Sequence, residues 1–147
     1  MKKSKAFTLI ELLAVIVILG LIALITVPTV LNKLKSTNED LYQTQIELIK
    51  AGAVSYVTDL IAHPDGSTIS NAILARQASV HLKTLGELQT AGAVDTNLLN
   101  PLCDGDNKYF SPTETKIRFT YDGKEFSYEV FNDNGEDALR RSCDIKR

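Results

Sequence analysis

One carboxylate stands out because of its position in the sequence. Glu11 is followed by 20 consecutive residues, 12–31, none of which carries a charge. Twenty helical residues span about 30 Å, which is the thickness of a bilayer's hydrocarbon core. A carboxylate at the start of such a segment costs free energy unless a cation lies beside it, and residues of this kind usually have a function. We therefore expect Glu11 either to pair with a positive charge or to reach the headgroup region.

The two cysteines are the next candidates for chemistry, because their side chains could react with each other. Cys103 and Cys143 both lie in the last third of the chain. Two cysteines are too few for a four-cysteine zinc site or a disulfide-dense mini-protein. They predict one of two arrangements: a disulfide, which would stabilise the fold by about 4 kcal/mol by closing a loop of about 41 residues, or two independent buried thiols.

Candidates for catalysis and metal binding are few. His63 and His81 have no spacing to cysteines or acids that is typical of a metal site or a catalytic triad. Neither a Gly-rich phosphate loop nor a nucleophile elbow is present. We therefore predict that the protein is not an enzyme and holds no metal. The acidic stretches 104–107 and 133–137 do not match an EF-hand, so we interpret them as solvated turns, with calcium binding as the alternative.

The C-terminal end concentrates positive charge. Four of its last eight residues are basic: Arg140, Arg141, Lys146 and Arg147. The whole chain has 16 Lys and Arg against 18 Asp and Glu, a formal charge of −2, which excludes binding to nucleic acid through bulk charge. A solvated, charged tail is the simpler interpretation. The alternative is a basic surface patch that binds DNA or acidic glycans.

The elements that hold these residues begin with the apolar segment. Lys2, Lys3 and Lys5 precede it, so the positive-inside rule places the N-terminus in the cytoplasm and the rest of the chain outside. A secretory signal peptide has a shorter apolar region followed by a small-residue cleavage site, and no such site follows here. We therefore predict a single-pass membrane protein.

Residues 32–63 continue this helix outside the membrane. Leu34, Leu41 and Leu48 recur every seven residues. Further apolar residues occupy neighbouring helical positions: Tyr42, Ile46, Ile49, Ala53, Tyr56, Val57 and Leu60. The apolar stripe needs a partner, and a β-sheet from the same chain is the simplest one. His63-Pro64-Asp65-Gly66 ends the helix.

Residues 64–147 predict a connecting region and a small antiparallel sheet. Thr84-Leu85-Gly86-Glu87 has the pattern of a capping box, which opens a short helix. Alternating runs on either side of Asp122-Gly123 predict a β-hairpin. A third strand is needed for stability, and Asn107–Ser111 is the expected donor. The predicted fold class is α+β.

The N-terminus resembles a known family. A short Lys-rich leader, the sequence Ala6-Phe7-Thr8-Leu9-Ile10-Glu11 and the apolar run resemble the class III signal of type IV prepilins and pseudopilins, over residues 1 to about 31. The resemblance implies that a prepilin peptidase cleaves between Ala6 and Phe7 and that the new Phe7 amine is N-methylated. It also implies that Glu11 pairs with the N-terminal amine of a neighbouring subunit. The family usually has Gly before the cut, so Ala6 bears on the efficiency of processing.

The resemblance also implies a fold and an organisation of the chain. A long helix with a membrane-embedded first half packs its second half on an antiparallel sheet, in the lollipop shape of pilins. Gly20 and Pro28 resemble the pair between which a pilin helix extends in the filament, although membrane helices also tolerate both residues. A Cys103–Cys143 disulfide resembles the disulfide-bounded loop of many pilins. The expected segments are a leader (1–6), a transmembrane or filament-core helix (7–31), an amphipathic helix (32–63) and a connecting region with the disulfide-bounded sheet (64–147).

Three functions are compatible with these features. The first is a structural subunit of a type IV pilus-like extracellular filament, a homo- or hetero-polymer whose implied partners are the prepilin peptidase, an assembly ATPase and a membrane platform protein. The second is a pseudopilin of a type II secretion or competence (DNA-uptake) system. The third is a membrane-tethered binding domain that does not polymerise, in which Glu11 would be dispensable.

Overall fold

The structure, a computed structural model, describes residues 8–103 and 109–144. The chain divides into two compact units between Thr37 and Asn38. Several predictions concern residues outside the described ranges: the Ala6–Phe7 cleavage and methylation site, the acidic stretch 104–107, and the basic residues Lys146 and Arg147.

The first unit is a single apolar stretch of helix. Helix α1 is assigned to Leu9–Ala62 and continues through both Gly20 and Pro28. Every described side chain of the first unit is exposed. Thr26 and Thr29 donate their hydroxyl groups to helix carbonyl oxygens one turn earlier, both at 3.0 Å. These bonds satisfy the only hydroxyls of the 12–31 segment, as an environment without water requires.

The second unit contains the rest of α1 and an antiparallel sheet of three strands in the order β1-β3-β4. A separate pair, β2 and β5, is also antiparallel. Together with α1 this arrangement confirms the predicted α+β class and the small sheet. The remaining elements are α2 (Thr68–Ala75), β1 (Ser79–Thr84), α3 (Leu85–Thr90), β2 (Tyr109–Phe110), β3 (Lys116–Tyr121), β4 (Phe126–Phe131), α4 (Glu136–Arg140) and β5 (Cys143–Asp144).

The hairpin prediction is confirmed, and the prediction for the third strand is wrong. Strands β3 and β4 pair across the turn at Asp122-Gly123, where Tyr121 lies opposite Phe126. The third strand is β1 (Ser79–Thr84) instead of a segment within 107–111. The predicted Thr84–Glu87 capping box is present and begins α3 directly after this strand. Residues 109 and 110 instead form β2, which pairs with β5 so that Phe110 lies opposite Cys143.

The core of the second unit lies between α1 and the sheet. Tyr42, Ile49 and Val57 are buried on α1, and they form one cluster with Ile117 and Phe119 of β3. The predicted packing of the helix on the sheet is therefore confirmed, and it uses five of the positions predicted beside the leucines: Tyr42, Ile46, Ile49, Ala53 and Val57. The leucines spaced by seven remain exposed: Leu34 by 55%, Leu41 by 46% and Leu48 by 50%. Leu41 and Leu48 each come one position before a buried residue, Tyr42 and Ile49, so they lie about 100° around the helix from the buried face.

Gly52 permits the closest approach between α1 and the turn that follows α3. A Cβ atom on Gly52 would lie 2.7 Å from the carbonyl oxygen of Ala93 and would also overlap the side chain of Val94. Backbone atoms limit this space, so a side-chain rotation alone cannot relieve the overlap. Only glycine fits here without a shift of the helix or the turn.

We expect Gly52→Ala to lower the free energy of unfolding by about 1–3 kcal/mol, because overpacking of a close contact outweighs the better helix propensity of alanine. Chemical denaturation of the purified chain measures this change. Gly20→Ala is the matched control, since no atom lies within 4 Å of a Cβ built there. Equal unfolding free energies for the two variants would contradict the packing assigned to Gly52.

Candidate functional site

The described part of the chain begins with a capping box. The backbone N–H and the hydroxyl of Thr8 donate to Oε2 of Glu11 at 2.9 and 2.8 Å. The backbone N–H of Glu11 donates in return to the Thr8 hydroxyl at 3.3 Å. This reciprocal arrangement satisfies donors that would otherwise lack a partner at the start of a helix.

The partner of Glu11 was missing from the prediction, although the sequence contains its signal. Thr8-Leu9-Ile10-Glu11 has the Thr-x-x-Glu spacing of a capping box, as residues 84–87 do. Glu11 therefore has a structural role within its own helix in addition to the predicted role between subunits.

The capping box leaves part of the carboxylate available. Among the residues that the structure describes, none donates a hydrogen bond to the second carboxylate oxygen, Oε1 of Glu11. Both Thr8 donors use Oε2, so an ammonium group could approach Oε1 without breaking the cap. The arrangement can thus fix the direction of a carboxylate and still bind a cation.

The surroundings of Glu11 are apolar. It is the only ionisable residue between positions 8 and 32. Among the described residues, α1 is the one helix long and apolar enough to cross a membrane, by length and composition. A charge in such surroundings interacts strongly with an opposite charge because little water screens it. Any partner of Glu11 within the apolar layer would therefore be held firmly.

The two cysteines form a disulfide. Cys103 is bonded to Cys143, with their Cα atoms 6.0 Å apart. This finding excludes the alternative of two independent thiols. Next to the bond, Ser111 donates its backbone N–H to the carbonyl oxygen of Ser142 at 3.0 Å. The disulfide thus fastens the C-terminal strand β5 to the segment between α3 and β2.

The predicted basic patch is divided by the fold. Arg140 forms an ion pair with Glu39 of α1, and its guanidinium lies 5.6 Å from the ring centre of Tyr42. Burial raises the pKa of Tyr42 to about 12, and the charge of Arg140 opposes this rise. Arg140 therefore connects α4 to α1, whereas Arg141 is exposed to solvent.

The histidines lie apart from each other. His63 is exposed and its Nδ1 lies 3.2 Å from Asp59. His81 has its Nε2 2.9 Å from the Ser79 hydroxyl, and burial lowers the pKa of its imidazole. Within residues 8–103 and 109–144, no group of three or more His, Cys, Asp or Glu side chains is arranged to hold a metal ion.

Comparison with known proteins agrees with the N-terminal motif. Residues 1–27 match the family model described as the prokaryotic N-terminal methylation motif. This motif is the class III signal of type IV pilins and pseudopilins, which are structural subunits and not enzymes. The resemblance predicted from Ala6 to Glu11 is thereby confirmed. No curated protein and no solved structure matched the chain.

Proposed function

We propose that the chain is the precursor of a structural subunit of a type IV pilus-like filament. The observation that carries the proposal is the placement of Glu11. It is the single ionisable residue between positions 8 and 32, it lies within the methylation motif, and it lies in the first unit, whose described side chains are all exposed. A soluble domain that does not polymerise has no role for an exposed apolar helix with a single carboxylate near its start.

Before assembly, the helix would hold the precursor in the membrane. Its apolar stretch matches the thickness of a bilayer, and the lysines at positions 2, 3 and 5 keep the N-terminus in the cytoplasm. The second unit would then lie outside the cytoplasm, in an oxidising environment where the Cys103–Cys143 bond persists. After assembly, the same unit would form the surface of an extracellular filament.

On polymerisation, helices of neighbouring subunits would replace the lipid around the apolar stretch. Cleavage after Ala6 creates a new amine at Phe7, only four residues before Glu11. In the filament core, the amine of one subunit would pair with the carboxylate of another. The attraction between the two opposite charges offsets the free energy that each one loses when it leaves water. An unpaired charge would have no such compensation.

The processing machinery follows from the motif. A prepilin peptidase would cleave and methylate the chain, and an assembly ATPase with a membrane platform protein would extract it into the filament. No cofactor is part of the proposal, and calcium binding by the acidic stretch 104–107 stays the alternative to a solvated turn.

A pseudopilin of a type II secretion or competence system is the second candidate. The disulfide favours a pilus subunit, because a disulfide-bounded loop resembles pilins more than the pseudopilin branch. The genes beside this one separate the candidates, since secretion, competence and pilus operons encode different neighbours. DNA binding is a lesser proposal, because Arg140 is already paired and loss of the leader's three lysines leaves 13 Lys and Arg against 18 Asp and Glu.

The processing step is tested by the intact mass of the chain extracted from membranes. We expect a chain that starts at Phe7 and carries one methyl group. Ala6→Leu should block cleavage, because a bulky residue replaces a small one before the cut, whereas Ala6→Gly should be cleaved at least as fast as the native chain. A native mass that retains residues 1–6 would overturn the proposal.

A further inference from the structure

Strand β1 lies at an edge of the sheet, and half of its backbone groups point away from the sheet. Among the described strands it pairs with β3 alone. Directly after β1, Leu85 donates its backbone N–H to the carbonyl oxygen of Thr115 at 2.8 Å, in the same register as the strands. Hydrogen-bonded pairs alternate along an antiparallel ladder. The odd-numbered residues of β1 therefore bond to β3, and the N–H and C=O groups of Val80 and Leu82 point outwards.

These two residues leave the edge of β1 open. Within residues 8–103 and 109–144, no group forms a hydrogen bond with the outward backbone atoms of Val80 or Leu82. Their side chains are apolar and exposed, Val80 by 60% and Leu82 by 56%. At the end of the strand, by contrast, the outward N–H of Thr84 donates to Oε2 of Glu87 at 2.7 Å. An unpaired edge with apolar side chains is a template on which another extended segment pairs.

A cleft of about 430 Å³ lies between α2 and β1. Its wall on α2 is formed by Thr68, Ala72 and Ala75, which share one helix face because they are four and three positions apart. On the neighbouring face of α2, Ile69 is buried and Ile73 packs against the core. The cleft therefore lies beside the core, and it borders solvent because Thr68 and Ala75 are exposed.

Among the described residues, no charged side chain lines this cleft at neutral pH. Its polar lining groups are hydroxyls, amides and one imidazole, from Thr68, Asn71, Gln77, Ser79 and His81. Burial and the nearby charge of Lys83 both lower the pKa of His81, so its imidazole is neutral at pH 7. A charged side chain that entered the cleft would lose hydration without gaining an opposite charge. The cleft therefore fits small, uncharged polar side chains.

We propose that β1 and this cleft bind an extended, uncharged peptide segment of another protein, which adds a strand to the open edge of the sheet. The outward N–H and C=O groups of Val80 and Leu82 would form backbone hydrogen bonds with the segment. Successive side chains of an extended segment point to opposite faces. One set would enter the cleft, and the other would lie beside the exposed side chains of Val80 and Leu82. The segment that fits therefore alternates small polar residues with apolar ones.

Strand β1 of a second copy fits this site less well. Antiparallel pairing of two β1 edges with Val80 opposite Leu82 would place Lys83 of one copy opposite Ser79 of the other. Both side chains lie on the face of the sheet that bears the cleft, because they are an even number of residues from His81. The ammonium group would then enter an uncharged cleft. A foreign segment without charges avoids this cost.

Amide hydrogen exchange of the full-length chain, purified in detergent, tests the site. The probe is an acetylated and amidated hexapeptide that alternates threonine and valine. In the free chain, we expect the amides of Val80 and Leu82 to exchange at least about tenfold faster than that of His81, which is bonded to β3. A saturating concentration of the probe should slow both amides at least about tenfold. The same hexapeptide N-methylated at every residue keeps its side chains, has no backbone donors and should give no protection.

Three outcomes of this experiment would overturn the inference. The first is that the probe protects neither Val80 nor Leu82. The second is equal protection by the N-methylated peptide, which would show that backbone hydrogen bonds are not the basis of binding. The third is slow exchange at Val80 and Leu82 in the peptide-free chain that becomes faster on dilution, which would assign the edge to a second copy.

Variants of the full-length chain give a second test, with binding of a fluorescent form of the probe as the measurement. Val80→Pro removes an outward N–H that the sheet does not use, and edge strands tolerate proline at such a position. We expect it to weaken binding at least about tenfold, whereas the matched Val80→Thr keeps the N–H and should change binding less than about twofold.

Ala75→Phe keeps the test available if the proline variant does not fold. The new side chain would fill the cleft from α2 without altering β1, so it should also weaken binding at least about tenfold. Equal unfolding curves of the variants and the native chain would verify their folds. Native-like binding by folded Val80→Pro or folded Ala75→Phe would contradict the site. The inference stands apart from the proposed function, because binding is measured on the purified chain whether or not it polymerises.

Discussion

A chain with Glu11→Gln is expected to enter the membrane and to be cleaved and methylated, yet to form no surface filaments. The change removes the charge and keeps the cap, because glutamine serves at the third helical position of a capping box as well as glutamate does. Loss of one member of a buried ion pair costs about 3–5 kcal/mol. That cost corresponds to more than about a hundredfold weaker association of each subunit. Sheared filaments, quantified against total cell protein, provide the measurement.

Thr8→Ala is the control that separates the two roles of Glu11. This variant removes the hydroxyl that donates to the carboxylate, and it retains the charge. Loss of such a cap costs about 1 kcal/mol of helix stability. We therefore expect a reduced but readily measured filament yield. If Glu11→Gln formed filaments as well as the native chain, or if Thr8→Ala were the more severe change, the pairing of Glu11 between subunits would be refuted.

Removal of the disulfide is expected to have the second largest effect. Replacing both Cys103 and Cys143 with Ser should lower the free energy of unfolding by about 4 kcal/mol, because the unfolded chain regains the entropy of a loop of about 41 residues. The second unit also loses the covalent connection between β5 and the segment that precedes β2. Thermal or denaturant unfolding of the purified chain under non-reducing conditions measures the difference.

Single substitutions provide the control for the disulfide. Cys103→Ser alone and Cys143→Ser alone each break the same bond, so both should be destabilised as much as the double variant. Under reducing conditions the free energy of unfolding of the native chain should approach that of all three variants. A native chain that unfolds at the same denaturant concentration with and without a reductant would show that the bond contributes nothing to stability.

The sequence predicted features that depend on local pattern. The capping box at Thr84–Glu87, the hairpin around Asp122-Gly123 and the uncharged 12–31 segment each need only a few neighbouring residues, and the structure contains all three. Partners far apart in the sequence were harder to identify. Strand β1 pairs with β3, although β1 begins 37 positions before β3 in the sequence. No periodicity within either segment indicates this pairing.

The candidate site shows the same limit. Arg140 appeared to be one of four free cations, because its ion-pair partner Glu39 lies 101 positions earlier in the chain. Leu41 and Leu48 appeared to be core residues, because a seven-residue repeat does not say which of two helix faces meets the sheet. Thr8 could have been identified, since its Thr-x-x-Glu spacing with Glu11 is visible in the sequence.

The proposed function requires that this chain polymerises after processing. The mass and N-terminal sequence of this chain in filaments sheared from the cell surface test this requirement. We expect a chain that begins with N-methylated Phe7 and contains the Cys103–Cys143 disulfide. Detection of the chain only in the membrane fraction, with Met1 through Ala6 still attached, would contradict it.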